Sequence, residues 1–351
     1  MQAAVFYGPG DVRIEAMPEP QAGAGEVLVR IHRALTCGTD LKTYRRGHPT
    51  IIKTVPSLFG HEFAGTIVEV GPEVERDRWR PGMRVVAANS APCQVCFFCR
   101  IGRLSLCENL EFLNGAYAEY IAVPRRIVEQ NLYEIPDHLS FAEAALTEPL
   151  ACAVHGIAES PIAVGDTVAV NGAGPIGLMF VRLAALRGAR VICCDLSAER
   201  LAIARELGAA ETIDVSRVAD QVAAVRELTE GGRGVEVAIE AVGLPEVWEQ
   251  TVRMVRPGGT VNLFGGAKSG TSFSVSTGLL HYSELTIKGV FHHTPRFVET
   301  ALRLLANGSV AAAPCVSGER PLAELVPTLE ATGRQEGIKY AIVPTPGLSA
   351  A

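Results

Sequence analysis

Residues Thr167 to Asp195 read TVAVNGAGPIGLMFVRLAALRGARVICCD, and the interpretation of this stretch decides the fold. An apolar run, Val168 to Val170, meets a G-x-G-x-x-G turn at Gly172, Gly174 and Gly177. Ile176 to Arg187 then recurs apolar at helical spacing, with Gly188 as its stop, so the segment predicts strand, tight turn and helix. A second apolar run, Arg190 to Cys194, ends on Asp195, eighteen residues beyond Gly177. That is where a ribose lies if the turn holds a pyrophosphate. The three glycines have distinct expected roles. Gly172 allows the turn, Gly174 lets backbone approach phosphate, and Gly177 lets helix and strand pack closely. Pro175 and Ile176 open the helix, whose N-terminus offers unpaired N–H donors to an anion. The ensemble predicts a dinucleotide site. The Asp195 carboxylate accepts from ribose hydroxyls and repels a 2′-phosphate, which favours NAD over NADP. Arg200 is expected over the adenine or in solvent, with partial accommodation of a phosphate as the competing role.

Working outward, strands alternate with helices from about Val154 to Val290: Val168 to Val170, Val191 to Cys194, Thr212 to Asp214, Val235 to Glu240, Thr260 to Phe264 and Thr286 to Phe291. This pattern predicts an α/β fold with a doubly wound parallel sheet. The helix SAERLAIAREL has Ser197 as N-cap and Gly208 as stop. Upstream, short strand-like runs (Ala3 to Tyr7, Val12 to Glu15, Glu26 to Ala34, Phe63 to Val70, Arg84 to Ala88) lie between Gly and Pro clusters, so the first ~150 residues read as a compact all-β body. After Pro295 come one helical run, FVETALRLLANG, and a final apolar strand, YAIVP.

The length of 351 residues suits two domains, and 48% hydrophobic residues supply their cores. A net charge of −6 without a block of like charge argues against nucleic acid. No signal peptide and no apolar stretch of ~18 residues is present, so a cytoplasmic protein without a membrane anchor is expected. Nine cysteines in a chain this long are not a dense disulfide framework. Four of them, Cys93, Cys96, Cys99 and Cys107, fall in CQVCFFCRIGRLSLC, spacing that lets four thiolates close a tetrahedral structural zinc site. An iron–sulfur cluster, a disulfide pairing and incidental clustering are the alternatives. A second set is dispersed: Cys37 in Cys-Gly-Thr-Asp, His61 and Glu62 in Phe-Gly-His-Glu, and Glu148 in Thr-Glu-Pro-Leu. Singly each is unremarkable. Together in a nucleotide-binding chain, thiolate, imidazole and carboxylate make a three-ligand zinc shell with an open fourth position.

These motifs resemble the zinc-dependent medium-chain alcohol dehydrogenases almost end to end. The resemblance implies a GroES-like catalytic domain over residues 1–153, completed by 294–351, and a Rossmann NAD-binding domain over 154–293, with the active site in the cleft at the strands' carboxyl ends. It matches Cys37, His61 and Glu148 to the catalytic zinc ligands, with Glu62 as a ligand or close outer-shell group. Glu148 in place of a cysteine makes the chain similar to the polyol and threonine dehydrogenase branch. Cys152 is rejected as a ligand because it is expected to pack as an apolar helix residue. The resemblance implies one catalytic and one structural zinc per subunit, NAD, an alcohol substrate, and a homodimer or homotetramer paired through the strand SELTIKGVF. It matches Thr39 to the hydroxyl that hydrogen-bonds the substrate oxygen; a local turn role is the other reading. Asp40 is expected to stabilise the loop. Lys42 stands where the relay usually has histidine, and His48 is a substitute candidate. Asn114 to Tyr117 are expected in the pocket wall. His292 and His293, replacing an arginine and a tyrosine, are expected either to bind hydroxyls or to cap a strand. Lys42, Arg45 and Arg46 form a solvated face or a site for an anionic substrate group. The expected reaction is hydride transfer from a secondary alcohol (polyol, sugar or inositol-like) to NAD. L-Threonine or another amino-alcohol is the alternative substrate, and a non-catalytic NAD-binding relative the alternative outside enzymes. Zinc-free quinone reductases lack both metal sets.

Overall fold

The computed structural model describes residues 1–48, 51–345 and 347. Two units divide the chain, Met1–Ala151 with His293–Ala351, and Cys152–His292. The crossings fall two residues and one residue before the sequence-derived boundaries.

In the second unit six strands form one parallel sheet in the order Ala209–Asp214, Arg190–Asp195, Thr167–Asn171, Val235–Glu240, Val255–Leu263, Thr286–Gly289. In sequence terms this is 3-2-1-4-5-6, the doubly wound order that reverses beside the first strand and opens a crevice at its carboxyl end. All five pairings are parallel. The strands are apolar on both faces: Val168, Ala169, Val170, Ile192, Cys193, Cys194, Ala238 and Ile239 are all fully buried. Four strands begin earlier than expected, and the last ends at Gly289, before Phe291.

The first unit is built on a seven-stranded sheet, ordered Leu132–Glu134, Arg84–Ala87, Phe63–Val70, Val27–Leu35, Lys339–Val343, Val316–Pro321, with Tyr120–Val123 also on Val27–Leu35. A three-stranded sheet (Asp11–Ala16, Gln2–Gly8, Ser57–Leu58) shares its core. Val27, Val29 and Ile31 alternate into that core with Phe63 and Ile67, as a half-buried antiparallel pair requires.

This body is not all-β, which corrects the expectation from sequence. Helices span Gly38–Arg46, Arg125–Gln130 and Phe141–Ala145. The last of these is opened by a reciprocal capping box, Ser140 with Glu143. The C-terminal region also holds more than one helix and one strand. Val316–Pro321 pairs parallel with Lys339–Val343, and helix Leu325–Gly333 supplies the crossover that a parallel pair needs. That strand is mostly exposed, so it lacks an apolar signature, and Pro327 sits in the helix's first turn, where a missing N–H is harmless. Among the described residues no helix is long and apolar enough to cross a membrane.

Candidate active site

Strand Val27–Leu35 delivers the chain to Cys37, which caps the helix Gly38–Arg46; the Thr39 N–H donates to its Sγ at 3.4 Å. His61 arrives from the loop before strand Phe63–Val70. It is preceded by Gly60 at φ +88°, where any Cβ would overlap the Tyr117 ring. Only glycine satisfies both the left-handed backbone and that close approach. The His61 Nδ1 lies 2.9 Å from Asp40 Oδ1, and the Tyr117 hydroxyl donates to Asp40 Oδ2 at 2.5 Å. An acceptor-only carboxylate holds a proton on Nδ1 and so reserves Nε2 as the ring atom for a metal, the outer-shell arrangement of metal-ligating histidines. Burial opposes charge on this ring, yet Asp40 and Cys37 hold its pKa well above the ordinary histidine value.

One sulfur of Cys37, one ring nitrogen of His61 and one oxygen of Glu62 lie within 4.8 Å of one another. Glu62 is fully buried, with Lys339 Nζ 2.9 Å from Oε1 and 2.8 Å from Oε2. Burial works against charge on Lys339 as well, but Glu62 and Cys37 overcome it and raise its pKa. Glu148 is outside that mutual distance but close enough for charge coupling. Burial lifts its pKa to about 7, opposed chiefly by His61. A soft sulfur, an oriented imidazole and buried carboxylates fit zinc and make a poor site for the hard, oxygen-preferring cations.

The four loop cysteines also converge, each sulfur within 4.8 Å of the others. The Cys96 and Cys107 sulfurs are 3.9 Å apart, close to the ~3.8 Å edge of a tetrahedron with Zn–S bonds of about 2.3 Å. Backbone N–H groups point at the sulfurs: that of Val95 leads in lowering Cys93 to about 6, and that of Cys99 leads in lowering Cys96. Burial pushes Cys99 up to about 12 and raises Cys107. A metal that favours thiolate is therefore what this loop is built to receive. All nine cysteines are unpaired as disulfides.

In the second unit the glycine turn has the expected geometry. Gly172 has φ +107°, and a Cβ on Gly177 would collide with the Gly172 carbonyl, so helix Pro175–Leu186 approaches the strand as only glycine permits. Gly174 caps that helix with nothing beyond its own chain neighbours within 4 Å of where its Cβ would lie, so the backbone at the helix N-terminus is open to approach. Asp195 is tied to the turn, accepting from Ala173 N at 2.6 Å and Ser197 N at 2.8 Å, and stays part-exposed. Arg200 is buried rather than solvated, which leaves the adenine and phosphate readings of the three.

Other expectations are redistributed. Tyr117 is fully buried and supports Asp40 instead of lining a pocket, and Asn114 donates to the Ile51 carbonyl at 3.0 Å. Arg45 and Arg46 are exposed, and Thr39 and Lys42 half-buried. His293 Nε2 is 2.9 Å from Asn89 Oδ1, and the His292 carbonyl faces His155 Nδ1 at 2.7 Å, so neither histidine caps a strand. Cys152 is half-buried, with its sulfur within 4.8 Å of a His292 ring nitrogen. Lys339, Tyr117 and Asn89 carry no motif that singles them out. A lysine inside the apolar strand IKYAIVP is the one available signal for the first.

Comparison with known proteins matches residues 175–307 to a family described as zinc-binding dehydrogenase and residues 23–137 to the alcohol dehydrogenase GroES-like domain. Sorbitol dehydrogenase of Ovis aries is 33% identical over 350 residues, covering 96% of this chain and 95% of that protein. The crystal structure of 2R,3R-butanediol dehydrogenase from Bacillus subtilis superposes with a TM-score of 0.87 at 30% identity, covering 98% and 99% of the two chains. A zinc-binding dehydrogenase from Sinorhizobium meliloti 1021, bound to NADP, reaches 0.89 at 32% identity over 98% and 99%.

Proposed function

Because the chain belongs to the zinc-dependent medium-chain alcohol dehydrogenase family, in its polyol dehydrogenase branch, we propose that it oxidises a secondary alcohol of the polyol, sugar or inositol-like class with NAD. In that reaction the alcohol carbon would lose hydride to bound NAD and the hydroxyl would lose its proton to the protein, giving a ketone. The observation carrying this reading is the convergence of Cys37, His61 and Glu62, with Asp40 holding the imidazole.

Bound zinc would supply Lewis-acid polarisation of the alcohol oxygen, and bound NAD the hydride acceptor. Cys37 and His61 hold the metal, with carboxylate from Glu148 or Glu62; the Lys339 pairing of Glu62 favours Glu148 as the ligand and Glu62 as the outer charge. Thr39 takes the hydroxyl proton while its own hydrogen passes onward. His48, whose buried Nδ1 has no hydrogen-bond partner among the described residues and whose pKa burial lowers, is the next acceptor, in place of the relay histidine that Lys42 replaces. Cys93, Cys96, Cys99 and Cys107 hold a structural zinc. Gly172, Gly174, Pro175, Ile176 and Gly177 receive the pyrophosphate. Asp195 takes the ribose hydroxyls, which favours NAD here although one relative was crystallised with NADP. The edge strand Thr286–Gly289 offers unpaired backbone to a second copy, so a homodimer or homotetramer in a reducing cytoplasm is proposed.

The decisive experiment incubates zinc-loaded protein and NAD with a panel of polyols, inositols, aminated sugars and threonine, following NADH absorbance. Polyol turnover supports the proposal; turnover of threonine alone overturns the substrate class. Cys37→Ser is expected to lower zinc from two to one per chain and turnover to background while sparing NAD binding.

A further inference from the structure

Within the first unit, Glu148 does not stand alone. The Nε2 of His293 lies 3.6 Å from its Oε1 and 2.9 Å from Asn89 Oδ1, and His293 and Asn89 are 2% and 3% exposed. A side-chain amide oxygen only accepts, so the hydrogen sits on Nε2 and goes to Asn89, and the Glu148 oxygen lies beside the same N–H at ion-pair rather than hydrogen-bond distance. Asn89 is itself fixed: its backbone carbonyl accepts from Leu113 N at 2.8 Å, and its neighbours are tied to Asn131 through Ala88 N at 3.0 Å and Ser90 O at 2.6 Å. His293 is anchored just before the helix Pro295–Ala306. Two rigid elements thus hold one N–H donor in place.

We propose that His293, oriented by Asn89, is a positioning residue that fixes the Glu148 carboxylate for metal binding rather than a residue that recognises substrate hydroxyls. The proposal rests on the reading of Glu148 as a zinc ligand. A buried carboxylate with a free torsion presents its oxygens in several orientations, whereas one whose Oε1 faces the positive end of a fixed imidazole N–H dipole favours a single one. An outer-shell partner of this kind commonly accounts for about 10–100-fold in metal affinity. The ring is too enclosed, and its Nε2 too committed, to serve a polyol hydroxyl.

The test measures zinc release from the holoenzyme to 4-(2-pyridylazo)resorcinol together with steady-state kinetics, for wild type, His293→Leu, His293→Gln and Asn89→Ala. Cys37→Ser identifies the zinc that remains in the four-cysteine loop. His293→Leu is expected to weaken the other zinc about 10–100-fold and to lower kcat, with the KM for NAD within about twofold of wild type. His293→Gln, which keeps an N–H near the position of Nε2, is expected to restore both zinc retention and kcat. Asn89→Ala is expected to move in the direction of His293→Leu and carries the test if the leucine variant does not fold. Unchanged zinc retention in His293→Leu, or in Asn89→Ala should the leucine variant not fold, overturns the proposal, as does a glutamine variant no better than leucine. A wild-type protein that releases zinc from the four-cysteine loop alone overturns the metal assignment on which the proposal stands.

Discussion

Replacing Lys339 with methionine removes the countercharge of a carboxylate that is fully out of water. Lys339 is 1% exposed and its Nζ contacts both oxygens of Glu62, at 2.9 and 2.8 Å. At that separation and an effective dielectric of about 20 the attraction alone is roughly 6 kcal/mol. Both groups also lose hydration, so the net worth of the pair is smaller, but one-sided removal leaves an unpaired buried charge and costs about 3–5 kcal/mol. For a body of this size each kcal/mol moves the melting temperature by about 2–4 °C, so Lys339→Met should melt roughly 6–20 °C below wild type. Differential scanning calorimetry on the purified protein measures this. Neutralising the orphaned partner in the double variant Lys339→Met/Glu62→Gln should recover much of the loss, because the charge and not the volume is at fault. A single variant that melts within about 2 °C of wild type, or a double variant no more stable than the single, would refute the argument.

Asp195→Ala removes a charged acceptor, worth about 1.5–3 kcal/mol, so NAD should bind about 10–100-fold more weakly while NADP gains relative to it, as read by nucleotide fluorescence titration. His48→Gln should lower kcat about tenfold or more with little change in the KM for NAD; an unchanged kcat assigns the proton exit elsewhere. Glu236 is pushed up by burial but pulled further down by the Thr167 N–H and Arg256, so its folded pKa lies below the unfolded value. Its stabilisation is complete above the ordinary carboxylate pKa and is lost as pH falls through the depressed one, so Glu236→Gln should flatten the acid limb of stability and leave a deficit near neutrality, measured by urea unfolding against pH. Cys96→Ser should release the loop zinc and lower the melting temperature while leaving NAD affinity intact, checked by metal analysis and calorimetry.

What could be read in the sequence followed from how far apart the cooperating residues lie. The glycine turn and Asp195 fall within one strand–helix–strand unit, and the four loop cysteines within fifteen residues, so spacing alone encodes their geometry. Cys37, His61 and Glu148 carry no local pattern; their residue types suggested a metal shell only when taken together in a nucleotide-binding chain, and the resemblance matched them to ligands, while the structure clusters Cys37 and His61 with Glu62. The Asp40–Tyr117 clamp and the Asn89–His293 contact were not legible, because each joins residues from separate elements through side-chain geometry. The helix opened by Ser140 was hidden differently: its five residues, mostly alanine, are too short to display a period against the surrounding strands. Val316–Pro321 was missed because an exposed edge strand has no apolar face to announce it.

Glu62 and its lysine are 277 positions apart, which sets an order of events on the ribosome. At about 5–20 residues per second, the carboxylate waits roughly 14–55 s after its own synthesis before its countercharge exists. The first unit therefore cannot complete its buried ion pair until the strand Lys339–Val343 has been made, so this half of the molecule finishes folding only when both ends of the chain are present.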